Sequence, residues 1–161
     1  MRAPTAPGPH YPLKESVMQM NYLVTIDTKQ KIDGDEENLR VITHADLSVD
    51  KDDYTLIYTE QSRENGESRT EIRCEKGERI SVVRFGEGMT TNIILEKGIR
   101  HISCHATPYG SFSMGITAVE IASDMDADGG TLSFRYLTDI ENNPLGEISF
   151  DFAVTPKMQT V

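Results

Sequence analysis

The chain has 161 residues, enough for about one domain with its own core, and carries 26 acidic against 16 basic residues for a formal charge of −10. Its bases are scattered singly, which argues against nucleic acid and anionic membranes, both of which need clustered lysine and arginine. No segment approaches a membrane span or a secretory signal, so the cytoplasm is the expected compartment, and Cys74 and Cys104, which match no disulfide framework or zinc spacing, are expected as buried reduced thiols.

Residues 1–16 contain Pro4, Pro7, Pro9 and Pro12 and little that packs, which reads as a disordered leader or an expression remnant. The expected domain is therefore residues 17–157, with 158–161 as a tail. Leu13 to Met20 has room for no more than a short helix. From Met18 the apolar residues Met20, Tyr22, Val24 and Ile26 alternate with Gln19, Asn21, Thr25 and Asp27, the period of a strand with one buried face. Leu39, Val41, Ala45 and Leu47 repeat the pattern, as do Tyr54, Leu56 and Tyr58. Asn65-Gly66 is a strong hairpin turn, because both residues accept positive φ.

Thr70, Ile72 and Cys74 continue the alternation, followed by Ile80 to Phe85, Thr90 to Leu95 and Ile99 to Ala106 at short spacing. Phe112, Met114, Ile116 and Ala118 open a long strand reaching Ile121. Leu132, Phe134 and Tyr136 pair back, and Ile148, Phe150, Phe152 and Val154 close the chain with the most regular strand of all. Breaks rich in glycine and acid separate these runs, from Asp33-Gly34-Asp35 to Asn142 to Gly146. Such a pattern predicts an all-β, antiparallel meander that closes into a barrel of eight to ten strands, since closure removes the unpaired edges of an open sheet. A barrel of this size is either filled by its side chains or encloses one ligand cavity.

Few residues carry recognisable chemistry. Asp124, Asp126 and Asp128 with Gly129 match the first half of a calcium loop, but Arg135 stands where the closing glutamate belongs; the preferred reading is a hairpin turn with solvated aspartates, and no metal or cofactor is expected. His101 and His105 sit four apart on a strand, about 13 Å of backbone, too far to share a metal through that strand. Cys104 and His105 point to opposite faces, and no nucleophile or phosphate-binding frame is present, so no catalytic residue is assigned.

Two familiar barrel carriers are poor fits. The first strand lacks the Gly-x-Trp of lipocalins, and Asp33-Gly34-Asp35 leaves no room for the helices of fatty-acid-binding proteins. The segments Val83-Arg84-Phe85-Gly86, then Met89, then Ala106-Thr107-Pro108-Tyr109-Gly110-Ser111-Phe112 resemble instead the YwiB-like family of small bacterial proteins of unknown function, across roughly Met20 to Pro156. The resemblance implies a calycin-like, lipocalin-type barrel in the bacterial cytosol and implies no known activity. Arg84, Gly86, Thr107, Pro108, Tyr109 and Gly110 occupy the matching motif positions.

Pro108 fixes φ and Gly110 accepts positive φ, so this motif builds a tight turn that holds Tyr109 at a barrel rim. Arg84 at the end of an apolar strand suits a carboxylate or phosphate group if it points inward. The expectation is a non-enzymatic barrel binding a small amphipathic or anionic ligand through Arg84, Tyr109, His101 and His105. The alternatives are a filled barrel that recruits a protein partner or a second copy, and an enzyme in which His101, His105 and Arg84 converge.

Overall fold

The structure, a computed structural model, describes residues 20–62, 66–86 and 88–158. The leader, nearly all of Leu13 to Met20, Asn65 of the predicted turn, and residues 159–161 lie outside the described residues. Ten strands follow in order: β1 (Tyr22–Ile32), β2 (Asp35–Asp50), β3 (Asp53–Ser62), β4 (Gly66–Glu75), β5 (Arg79–Gly86), β6 (Met89–Glu96), β7 (Arg100–Thr107), β8 (Gly110–Asp126), β9 (Gly129–Ile140) and β10 (Asn143–Pro156). Each pairs with its neighbours in the chain, and β1 pairs antiparallel with β10 to close the barrel. The closed antiparallel meander is thus the predicted fold, with ten strands, and no helix occurs among the described residues.

Alternation places the core. On β4, Ser68, Thr70, Ile72 and Cys74 are buried while Glu67, Arg73 and Glu75 are exposed. Cys104 departs from expectation: it is exposed, because on β7 the inward positions belong to His101, Ser103 and His105, and only Cys74 is a buried thiol. On β8 the inward set switches from Ile116 and Ala118 to Ile121, Ser123 and Met125, because the register shifts at a bulge between Ala118 and Glu120.

Turn chemistry sets the register. Asp33 and Gly34 take φ of 51° and 84°, the positive pair a type I′ hairpin requires. The last hairpin turns on Glu141 and Asn142, and the Asn142 amide donates to Asp139 Oδ1 at 2.9 Å. The expected break at Asn142 to Gly146 is therefore shorter: β10 begins at Asn143, and Gly146 lies within it, opposite Ile32. A Cβ there would stand 2.5 Å from the Lys31 carbonyl oxygen, so this glycine serves close approach between strands.

The five hairpins β1–β2, β3–β4, β5–β6, β7–β8 and β9–β10 share one end of the barrel. The other end is filled: Leu56, Cys74, Ile80, Leu95, Ile116, Leu132 and Val154 are fully or nearly fully buried, and the hydroxyls of Tyr54 and Ser123 meet at 2.7 Å. The wall is uneven in height. β2 pairs with β1 from Asp35 to Ala45 but with β3 only from Ala45 onward, so its first half has an edge without a backbone partner among the described residues.

Candidate functional site

Inside the hairpin end lies a cavity of about 290 Å³. One wall is aromatic. Phe134 and Tyr136 on β9 and Phe150 and Phe152 on β10 form a continuous cluster, with ring centroids 5.2 Å apart for Phe134–Phe150 and 5.7 Å for Phe134–Phe152. Tyr58 on β3 joins it at 6.2 Å from Phe152. Ile72, Val82, Ile93 and Leu95 make the apolar floor.

The facing wall is a polar row laid out by strand register. Thr70 pairs with Arg84, Arg84 with Thr91, and Thr91 with His105, so all four line the cavity from β4, β5, β6 and β7, with Thr70 buried, Thr91 and His105 half-buried and Arg84 exposed at the mouth. Direct cross-strand partners share a face, which is why a barrel converts residues far apart in sequence into one ridge. Thr70 is 3 % exposed, and its Oγ1 has no hydrogen-bond partner of good geometry, although the Tyr58 hydroxyl, from the residue opposite it on β3, is close enough to interact. A buried hydroxyl left without a partner costs on the order of 1–3 kcal/mol. Arg84 donates to Ser68 Oγ at 3.3 Å, at the long end of the range, and among the described residues it has no carboxylate within ion-pair distance. Glu60 pairs in register with Ser68 on the same inward face and makes no ion pair with Arg84 among the described residues.

His105 is held as a neutral ring. The Ser103 hydroxyl donates to the Asn92 carbonyl at 2.6 Å, so at 3.1 Å from His105 Nε2 it accepts. This places the imidazole proton on Nε2 and leaves Nδ1 as an acceptor 3.5 Å from Thr91 Oγ1. The ring stacks on Phe112, centroids 5.1 Å apart, and burial holds its pKa below the ordinary histidine value. Burial likewise pushes the Tyr58 and Tyr136 phenols well above their ordinary range, so both stay protonated.

Of the four candidate ligand residues, the structure brings Arg84 and His105 together on one cavity wall. Tyr109 and His101 are elsewhere. Tyr109 is 98 % exposed at the tip of the β7–β8 hairpin, where the Thr107 hydroxyl donates to the Gly110 carbonyl at 2.8 Å and accepts the Tyr109 amide at 3.1 Å. Gly110 there has φ of 127°. The turn also braces its neighbour: a Cβ on Gly88 of the β5–β6 hairpin would meet Pro108 at 2.9 Å, and one on Gly86 would touch Ser68 at 3.4 Å. His101 faces inward at the filled end, where its Nε2 lies 3.0 Å from Glu96, which also pairs with Arg79 at 3.3 Å. His101, His105 and Arg84 therefore do not meet at one point.

Asp124 and Asp126 are exposed at the end of β8, and the Asp126 carboxylate accepts the Asp128 amide at 2.8 Å, closing the turn. Among the described residues no group of His, Cys, Asp or Glu is arranged to hold a metal ion. In the sequence, the alternation of Thr70 with Ile72 and Cys74 marks Thr70 as a core position and nothing more. A polar residue on the inward face of a strand was the available signal for it. The aromatic wall was legible as strands but not as one surface.

Fold and cavity together define a closed ten-stranded antiparallel barrel, filled at one end and hollow at the other. The chain belongs to the family described as Domain of unknown function (DUF1934), whose model matches residues 24–151. It is similar in fold to the crystal structure of the YwiB protein from Bacillus subtilis, with 18 % sequence identity, a TM-score of 0.72, and coverage of 90 % of this chain and 99 % of that one. No curated protein matches it.

Proposed function

We propose that this chain is a non-enzymatic, calycin-like binding protein that takes a small amphipathic or anionic molecule into the hairpin end of its barrel. The observation that carries this reading is the cavity itself, about 290 Å³ of open space bounded by an aromatic wall and a polar row, in a barrel whose other end is filled. Ligand sites are characteristically apolar with a few convergent polar groups, and this volume lies at their small end. Two free thiols, one of them exposed, support a reducing, cytoplasmic setting, and the fold likeness to a Bacillus subtilis protein supports a bacterial one.

A fluorescent anion such as 8-anilinonaphthalene-1-sulfonate tests the reading. The wild type should give saturable, blue-shifted emission, and Val82→Phe, which fills the cavity, should lose most of it while keeping its near-ultraviolet circular dichroism. Equal emission from both proteins would remove the cavity as the binding place.

A second reading, pairing with a partner protein or a second copy, draws on the edge of β2 that has no backbone partner among the described residues, where Leu39 and Ile42 are 62 % and 64 % exposed. Sedimentation showing a monomer at high concentration, with no partner retained, would count against it.

A further inference from the structure

We propose that the cavity is selective for small monocarboxylates, with the carboxylate on Arg84 and Thr70 and a ring or branched hydrocarbon body against Phe134, Phe150 and Phe152. This rests on the reading of the cavity as a ligand site and names the class of ligand it takes.

Charge decides the sign of the ligand. Along the row Thr70, Arg84, Thr91 and His105 the one full charge is the guanidinium, since burial favours the neutral form of His105. Glu60, on the same face nearer the hairpins, makes no ion pair with Arg84 among the described residues, and the guanidinium donors other than the one bonded to Ser68 are offered to an incoming anion.

Geometry decides the kind of anion. A guanidinium offers parallel N–H donors that match the two oxygens of a carboxylate, and such charge-assisted pairs are roughly twice as strong as neutral ones. Thr70 adds one hydroxyl donor, buried, unpartnered and next to Arg84 in register. One guanidinium and one hydroxyl suit a singly charged planar group; a phosphate carries more charge and acceptor oxygens than this pair answers.

Volume and shape decide the rest. At about 290 Å³ the cavity lies at the small end of ligand sites, which suits a ring or a short branched chain. Its aromatic wall presents ring faces and edges to a flat apolar body, an arrangement aromatic groups favour.

The experiment is a methyl-NMR titration of the full chain with phenylacetate and, separately, with phenylacetamide, which has nearly the same shape and no charge. Phenylacetate should shift the methyl signals of Ile72, Val82, Ile93 and Leu95 saturably, at least about tenfold more tightly than the amide. Arg84→Met should bring the acid down to the affinity of the amide. Thr70→Val, which keeps the shape and removes the donor, should weaken the acid severalfold and leave the amide unchanged. Equal binding of acid and amide, or an Arg84→Met protein that still prefers the acid, would overturn carboxylate selectivity while leaving the cavity as a ligand site. No shift at those methyls with either probe would overturn both.

Discussion

Thr70 and Arg84 face each other directly across β4 and β5, yet the guanidinium turns along the strand to Ser68 Oγ and the Thr70 hydroxyl is left unpaired inside the barrel. A buried hydroxyl without a partner costs stability. Thr70→Val should therefore raise the unfolding free energy in urea by about 1 kcal/mol, because an apolar isostere removes the desolvated hydroxyl without opening a hole. A clear loss of stability instead would mean that the hydroxyl is already satisfied.

The His105 ring should titrate below the ordinary value near 6.5, since burial disfavours its charged form. A histidine whose folded pKa is lowered takes up its proton more readily in the unfolded chain, so its linkage lowers stability as pH falls from about 6.5 toward the folded pKa. His105→Gln should flatten that part of the stability curve. Proton NMR of the ring checks the first claim, and a midpoint at or above 6.5 would contradict it. Nitrogen shifts should also report the proton on Nε2.

Arg100 and Asp139 reach over β8 from β7 and β9, with Nε–Oδ2 at 3.0 Å and Nη2–Oδ1 at 2.6 Å, through the space that Gly115 leaves by having no side chain. The Arg100 guanidinium holds the Asp139 carboxyl below its ordinary range. A depressed carboxyl stabilises the fold above its unfolded pKa and loses that contribution as pH falls through the folded one. Stability should thus decline below about pH 4, less steeply in Asp139→Asn, as thermal midpoints across the acid range would show. Gly115→Val should lower the midpoint at neutral pH by displacing the pair, and an unchanged midpoint would argue that the pair contributes nothing.

Gly130 on β9 has φ of 148°, and a Cβ there would stand 2.0 Å from the Asp124 carbonyl oxygen and 2.9 Å from Met125 Cα. Both obstacles are backbone. Gly130→Ala should cost roughly 2 kcal/mol or more in denaturant unfolding, combining steric displacement with an unfavourable φ. Gly34→Ala, with positive φ but open space around it, should cost less. The reverse order would contradict this account of the two glycines.

Thiol labelling separates the cysteines. Cys104 on the outer face of β7 should react with Ellman's reagent in the folded protein, and Cys74 only after denaturation. Rapid native labelling of both would mean that the filled end of the barrel opens readily.

Much of this barrel is legible from the alternation of residues such as Val24, Ile26, Leu132, Phe134, Phe152 and Val154, because a period of two fixes which side chains face inward. Chain-order turns then predict the meander. What periodicity does not disclose is height around the barrel, and that is where the site was obscure. His101 and His105 read as one face, and they are, but the strand carries one to the filled end and the other to the cavity. Tyr109 reads as a rim residue beside a ligand, whereas a two-residue turn projects it into solvent. The bond between Ser103 and Asn92, which fixes the His105 tautomer, joins strands whose register no local pattern specifies.

The most direct test of the hollow end as a ligand site is native mass spectrometry of the protein purified gently from its own cells, compared with its denatured mass. The account predicts a discrete additional mass that is released on denaturation, is absent from Val82→Phe, and whose identity can be read from the same spectrum. A bare native mass from the gently purified protein, identical for wild type and Val82→Phe, would contradict it.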